Sequence, residues 1–224
     1  TYRIDDWPGL EHFCATKPPV DYFMEGFIHG RIVTFDGLTD QNGNIVFHTS
    51  LEYSRNIMDV VNEDDHVYYW SARYLDEHLA EAGFNSVARF DIREKFFHFE
   101  FFRTDDGTLV ALEINLRPPG GFTTDMFNYA NDFDIYREWA NVVVKNRFES
   151  PWNRPYHCMY IGRKRRFAYH HSHEEIMGRY GHLMAWTTDM PPIFARAMGD
   201  YAYLARSPDL DQLYELAHFV QARD

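Results

Sequence analysis

Cysteine is scarce in this chain of 224 residues: only Cys14 and Cys158 occur, far apart and in no metal-binding spacing. That excludes a disulfide framework or a cysteine zinc site. It fits a reducing, cytoplasmic setting, with both thiols in stretches that read as core or strand. Positive charge is also short. With 22 Lys+Arg against 34 Asp+Glu the formal net charge is -12, so nucleic acid and anionic membrane surfaces would be repelled. The run Arg163-Lys164-Arg165-Arg166 is a local exception and reads as a solvated turn or strand end. No apolar stretch approaches the roughly 20 residues of a spanning helix. A signal peptide, a P-loop, a G-x-S-x-G elbow and an H-E-x-x-H pair are all missing. So is an initiator Met: the chain opens "TYRIDDW", as expected of a piece of a longer protein.

What is present is an ordinary globular balance, 45% hydrophobic and 25% charged, with enough length for one or two domains. Aromatics at 17% predict a core rich in Phe and Tyr. Residues 20–50 read as antiparallel strands around Gly30, with Asn42-Gly43 as a hairpin turn. The segment 68–84 reads as a helix, Trp70, Tyr74, Leu75, Leu79 and Ala82 on one face and Gly83 as C-cap. "SVARFDI" reads as a strand, and 123–131 and 134–146 as helices, the second capped by Asp132 or Asp134. A break at "RFESPWNRPYH" divides the chain into 1–150 and a smaller α+β subdomain, 151–224. There, strands are predicted at 157–162, 166–170 and 200–206, and a last helix starts with Ser207 as N-cap and Pro208 at its first position. His170, His171 and His173 form a local cluster. Ser172 with Glu175 three residues on makes a capping box that explains that stretch without a metal.

The stretch that carries chemistry is "FHFEFFRTDDGTLVALEINLRPPGG", Phe97 to Gly121. Asp106-Gly107 between two alternating runs predicts a two-residue type I′ turn, so that paired positions sum to 213. Glu100 then faces Glu113, and His98 faces Asn115. Alternation puts these four with Arg117 on one face, and Phe97, Phe99, Phe101, Leu112 and Ile114 on the apolar one. Like charges directly opposite are destabilising, so the two glutamates need a cation. Arg117 and His98 could supply it as a structural ion network. Mg²⁺, which takes oxygen ligands and shares them with phosphates, is the other answer. Pro118-Pro119-Gly120-Gly121 then leaves bare backbone beside the site, as phosphate contact requires. Residue types alone leave both readings open.

This stretch resembles the metal-binding hairpin of the ATP-grasp superfamily: a Glu on one strand, then Glu-x-Asn-x-Arg succeeded by Gly-Gly. "YFMEGFIHGRIVTFDGL" is similar to the superfamily's hinge strand and the segment after it, in the same order. The resemblance covers roughly residues 1–145, and the tail resembles the closing subdomain of biotin-carboxylase-like and carboxylate–amine-ligase members. It implies an α+β class: the C-terminal part of an ATP-grasp fold, an antiparallel sheet with packed helices plus a small closing subdomain. The N-terminal α/β domain and its phosphate-binding lysines would lie outside this chain; Lys17 is not assigned that task.

By the same resemblance Glu100, Glu113 and Asn115 hold Mg²⁺ (or Mn²⁺), Glu113 bridging two ions. Arg117 steadies the transferred phosphoryl group or acyl-phosphate. His98 orients a ligand or packs as a structural histidine. Glu25 matches the hinge acid, and Phe23, Met24, Gly26 and Phe27 line the adenine of ATP. Gly26 stands where a charged residue is common, and Arg31 and Ile32 where many members carry a ribose-binding Glu. Asp36 and Gly37 continue the same segment and could face the substrate, though Asp36 itself reads rather as a solvated turn residue. The implied activity is that of an EC 6.3-like ligase. Mg-ATP activates a carboxylate as an acyl-phosphate for attack by an amine, with small-molecule partners, no nucleic acid or membrane, and room for a homodimer. This piece alone is expected to bind ATP weakly without turnover. The rival readings are a non-catalytic nucleotide-binding or regulatory domain of the same fold, and a metal-dependent phosphohydrolase. The second would need more Asp and His ligands than this hairpin offers.

Overall fold

Alternating aromatic and β-branched runs build one antiparallel sheet of nine strands, seen in a computed structural model that describes residues 2–223. In chain order the strands are β1 (Arg31–Thr39), β2 (Ile45–Thr49), β3 (Leu51–Tyr53), β4 (Tyr68–Ser71), β5 (Phe96–Arg103), β6 (Leu109–Asn115), β7 (His157–Arg163), β8 (Met184–Asp189) and β9 (Tyr201–Ser207). Their spatial order is β6-β5-β1-β3-β4-β7-β9-β8, and β2 also pairs with β1. The helices are α1 (Trp7–Thr16), α2 (Ile57–Asn62), α3 (Glu77–Arg89), α4 (Thr123–Asn131), α5 (Ile135–Lys145), α6 (His173–Tyr180), α7 (Ala195–Met198) and α8 (Leu210–Gln221). The expected boundary near residue 150 falls between α5 and β7, and the sheet continues across it through the β4–β7 pairing.

Each sheet face is filled by its own helices. On one face Val33, Phe35, Phe97, Phe99 and Phe101 pack with Leu79 and Val87 of α3, while Trp70, Met159 and Ile161 meet Ile176 of α6 and Leu213 and Leu216 of α8. On the other, Leu51, Tyr69, Cys158 and Tyr160 pack under Met126 and Ala130 of α4, and Leu38, Phe47 and Phe96 pack against Phe127 of α4 and Ile135 and Val142 of α5. Burial of this kind contributes roughly 1.5–3 kcal/mol for each large side chain. Of the predicted site residues, His98, Glu100, Glu113 and Asn115 lie on the α4–α5 face.

Several local expectations are corrected. The segment 68–84 is not one helix: Tyr68–Ser71 forms β4, and α3 begins only where Asp76 accepts the Leu79 N–H at 2.9 Å. It then runs through Gly83, and "SVARFDI" supplies its last turn rather than a strand. Gly83 is no cap; a Cβ there would collide with the Phe35 ring, so the glycine lets α3 lie close on β1. Residues 166–170 form no strand, β8 was not foreseen, and Asp209 rather than Ser207 caps α8. Asp134 caps α5, and the Ser172–Glu175 capping box opens α6 as its sequence predicts. His171 stacks on Phe219 and His173 bonds the Tyr203 hydroxyl. Cys14 is exposed on α1, whereas Cys158 is buried. Three residues of the basic run are tied into ion pairs, buried Lys164 and exposed Arg166 both on Asp64 and Arg165 on Asp189, while Arg163 donates to the Val220 and His171 carbonyls.

Candidate active site

Strands β5 and β6 bring the predicted constellation together. Glu100 pairs directly with Glu113 and His98 with Asn115, the register expected from sequence. The route to it differs. Nearer the tip the pairs are Phe101 with Ala111, Phe102 with Val110 and Arg103 with Leu109. The tip is a three-residue loop, Asp105-Asp106-Gly107, closed by Thr104 N–H to Thr108 O at 3.0 Å, with only Gly107 at positive φ (+86°). A type I′ turn needs positive φ at both central residues, so that expectation fails. A bulge at Leu112, between the Phe101–Ala111 and Glu100–Glu113 pairs, restores the register at the glutamates. Leu112 itself is exposed rather than core.

The two glutamates are not neutralised by Arg117. Its guanidinium donates to the Pro118 carbonyl at 2.9 Å and stands exposed. Glu100 is met by His98, whose Nε2 lies 2.9 Å from Oε1. Glu113 is exposed and has no ion pair or side-chain hydrogen bond among the described residues. Asn115 is half-buried, and its amide nitrogen is buried without a partner, so nothing fixes which way the amide faces. No three His, Cys, Asp or Glu side chains among the described residues converge as a ready metal set. The set implied by the resemblance has two carboxylates and takes its third donor from an amide. That oxygen-only chemistry suits Mg²⁺, and an uncompensated Glu113 beside an unheld amide fits a cation there.

Behind the hairpin lies a residue whose place in the fold its sequence context disguises. Asp36 is no solvated turn: it sits in mid-β1, fully buried, and pairs across the strands with His98. His98 Nδ1 is 2.6 Å from Asp36 Oδ1, and the Thr34 hydroxyl donates to Asp36 Oδ2. Burial opposes a charge on His98, but Asp36 and then Glu100 outweigh it and raise the imidazole pKa to about 10. Beside this group Tyr53 stacks on Tyr69 and Tyr69 on Tyr160, with centroids 5.1 and 4.9 Å apart. Burial first, then the neighbouring Tyr69, Asp36 and Glu100, hold the Tyr53 hydroxyl well above its ordinary pKa. The stack ends near Gly-Gly: Tyr69 meets the Thr123 hydroxyl at 3.3 Å, and Met198 lies against Gly121 at φ +63°.

The expected adenine-facing residues are not assembled with this group. Residues 21–29 form no strand. Phe23 is 86% and Met24 77% exposed, and Glu25, Gly26 and Phe27 are exposed as well. What orders this stretch is local: Arg3 lies over Phe27, and Tyr2, Phe13 and Tyr22 form an aromatic cluster with α1.

No family model matches the chain, and no curated protein matches it in sequence. Its architecture is nevertheless found in solved structures. An L-amino acid ligase from Bacillus licheniformis superposes with a TM-score of 0.64 at 14% identity, covering 86% of this chain and 50% of that one. The N5-carboxyaminoimidazole ribonucleotide synthetase of Thermotoga maritima gives 0.60 at 14% identity, over 89% and 55%. A biotin carboxylase domain from Hydrogenobacter thermophilus 2-oxoglutarate carboxylase, solved with MgADP and bicarbonate, gives 0.53 at 12% identity, over 83% and 44%. The chain thus spans about half the length of these proteins. The likeness is one of fold: the α+β ATP-grasp architecture, over about half of each of these chains.

Proposed function

From this fold we propose that the chain is the C-terminal portion of an ATP-dependent ligase that activates a carboxylate as an acyl-phosphate for attack by an amine. The observation that carries the reading is Glu100 directly opposite Glu113, with no ion pair on Glu113 among the described residues, beside Asn115 and a Gly-Gly turn. Glu100, Glu113 and Asn115 would hold Mg²⁺ or Mn²⁺. A bound divalent ion supplies charge neutralisation for the β- and γ-phosphates of ATP. Arg117, exposed beside them, has the planar fork that grips phosphate or carboxylate oxygens in pairs. Exposed Phe23, Met24 and Phe27 offer apolar surface to an adenine, and Glu25 and Gly26 their backbone polar groups. Residues 1–150 would then be the metal-and-nucleotide part and 151–224 the closing part. A regulatory, non-catalytic domain would have no use for an unpaired Glu113 opposite Glu100.

Titration of this chain with Mn²⁺ or Mg²⁺ in a calorimeter tests the site. Saturable binding that is lost in Glu113→Gln supports the proposal; a wild-type chain that takes up neither ion overturns it. For the whole ligase, the corresponding readout is ADP release that requires a carboxylate and an amine together.

A further inference from the structure

We propose that Asp36 is a positioning residue for Glu100, acting through His98; the inference rests on Glu100 being a metal ligand. The chain of contacts is continuous and directional. The Leu51 N–H donates to Thr34 Oγ at 3.0 Å, which turns the Thr34 hydroxyl proton toward Asp36 Oδ2. Asp36 Oδ1 takes Nδ1 of His98 at 2.6 Å, and Nε2 of the same ring meets Glu100 Oε1 at 2.9 Å. With each ring nitrogen held by a carboxylate oxygen, the imidazole has no freedom to flip or swing. One Glu100 oxygen is therefore fixed, and the other has no hydrogen bond or ion pair among the described residues.

A purely structural role explains this group poorly. Burying a carboxylate fully is costly, and an apolar pair of similar volume would serve the fold as well or better. Two residues away along both strands the same face uses that apolar solution, Leu38 opposite Phe96. The polar version occurs only where the face reaches Glu100. Groups that hold a metal ligand from behind in this way commonly change metal affinity by about 10–100-fold when removed.

The test is calorimetric titration of this chain with Mn²⁺, Mg²⁺ and Ca²⁺, comparing wild type, Asp36→Asn and Glu113→Gln. Asp36→Asn keeps the shape but loses the charge that orients His98. It should weaken Mn²⁺ and Mg²⁺ by about tenfold or more. It should also lower the Mg²⁺:Ca²⁺ affinity ratio, because Mg²⁺ demands near-octahedral placement whereas Ca²⁺ tolerates a loose ligand. General loosening of the fold would weaken both ions alike and leave that ratio unchanged, which overturns the inference, as would wild-type affinities. If Asp36→Asn does not fold, Thr34→Val decides in its place: a several-fold loss with a lower ratio supports the role, an unchanged ratio refutes it. Absence of metal binding by the wild type would instead refute the metal reading of Glu100 itself.

Discussion

The β5–β6 hairpin and the segment 20–29 are the two stretches whose sequences point to nucleotide chemistry, and they fare differently. The hairpin finds its partner strand immediately along the chain and buries Phe97, Phe99 and Phe101 under α3. The segment 20–29 is equally rich in aromatic and apolar residues, yet pairs with no strand and leaves Phe23 and Met24 in solvent. A strand is a relation between two stretches of backbone, so β-propensity without an adjacent edge specifies little. Local pairing makes chemistry legible, whereas distant pairing hides it.

The largest test of the contrast is truncation on each side. Phe99→Ala should cost about 3–5 kcal/mol in urea unfolding, as large aromatic truncations in a core do, whereas Phe23→Ala should change stability by less than about 0.5 kcal/mol. Equal effects would erase the distinction. Next in size is a glycine pair. A Cβ on Gly37 would meet the Phe47 carbonyl and the Phe97 ring, so Gly37→Ala should cost about 1–3 kcal/mol by overpacking. Nothing lies within 4 Å of a Cβ on Gly26, and Gly26→Ala should be neutral or mildly stabilising, by at most about 1 kcal/mol.

Acid probes the packed half in another way. Burial, then Arg154, lower the His48 pKa from 6.5 to about 4. Between those values the unfolded chain takes up a proton that the folded one refuses, so stability should fall as pH drops from 6.5 toward 4 and this contribution should level off below. In His48→Phe that part of the slope should vanish from a melting-temperature profile. The smallest effect expected is at the site itself. Without metal, Glu113→Gln removes a like-charge pair and should raise stability by about 0.2–1 kcal/mol; a loss of stability would mean that Glu113 serves the fold.

Much of the fold was legible for the same reason as the hairpin. The helices 123–131 and 135–145, the strands 157–163 and 201–207 and the Ser172 cap all declare themselves through local periodicity and capping. Tyr68–Ser71 misled because Trp70, Leu75 and Leu79 fit a helical stripe while the aromatic run itself belongs between β3 and β7. In the site, alternation put His98 with Glu100 and Glu113 with Asn115, and their facing register came out right only because the Leu112 bulge offsets the longer tip. Asp36 could not be placed this way: an Asp-Gly pair favours turns, and only the pairing of β1 with β5, 62 residues apart, reveals it as the buried partner of His98. A signal was present nonetheless, since Thr34 and Asp36 interrupt an otherwise apolar strand at the spacing of one face.

The Leu112 bulge also decouples the hairpin's two ends. Treat pairing as a phase along the hairpin: the three-residue tip sets it back by one position, and the extra residue at 112 advances it by one. The two offsets cancel before Glu100 is reached, so the site keeps the phase that a bare two-residue turn would have given. The tip is in this sense insulated from the chemistry. Its loop can be traded for a tighter one with Leu112 deleted, and the glutamates still come face to face.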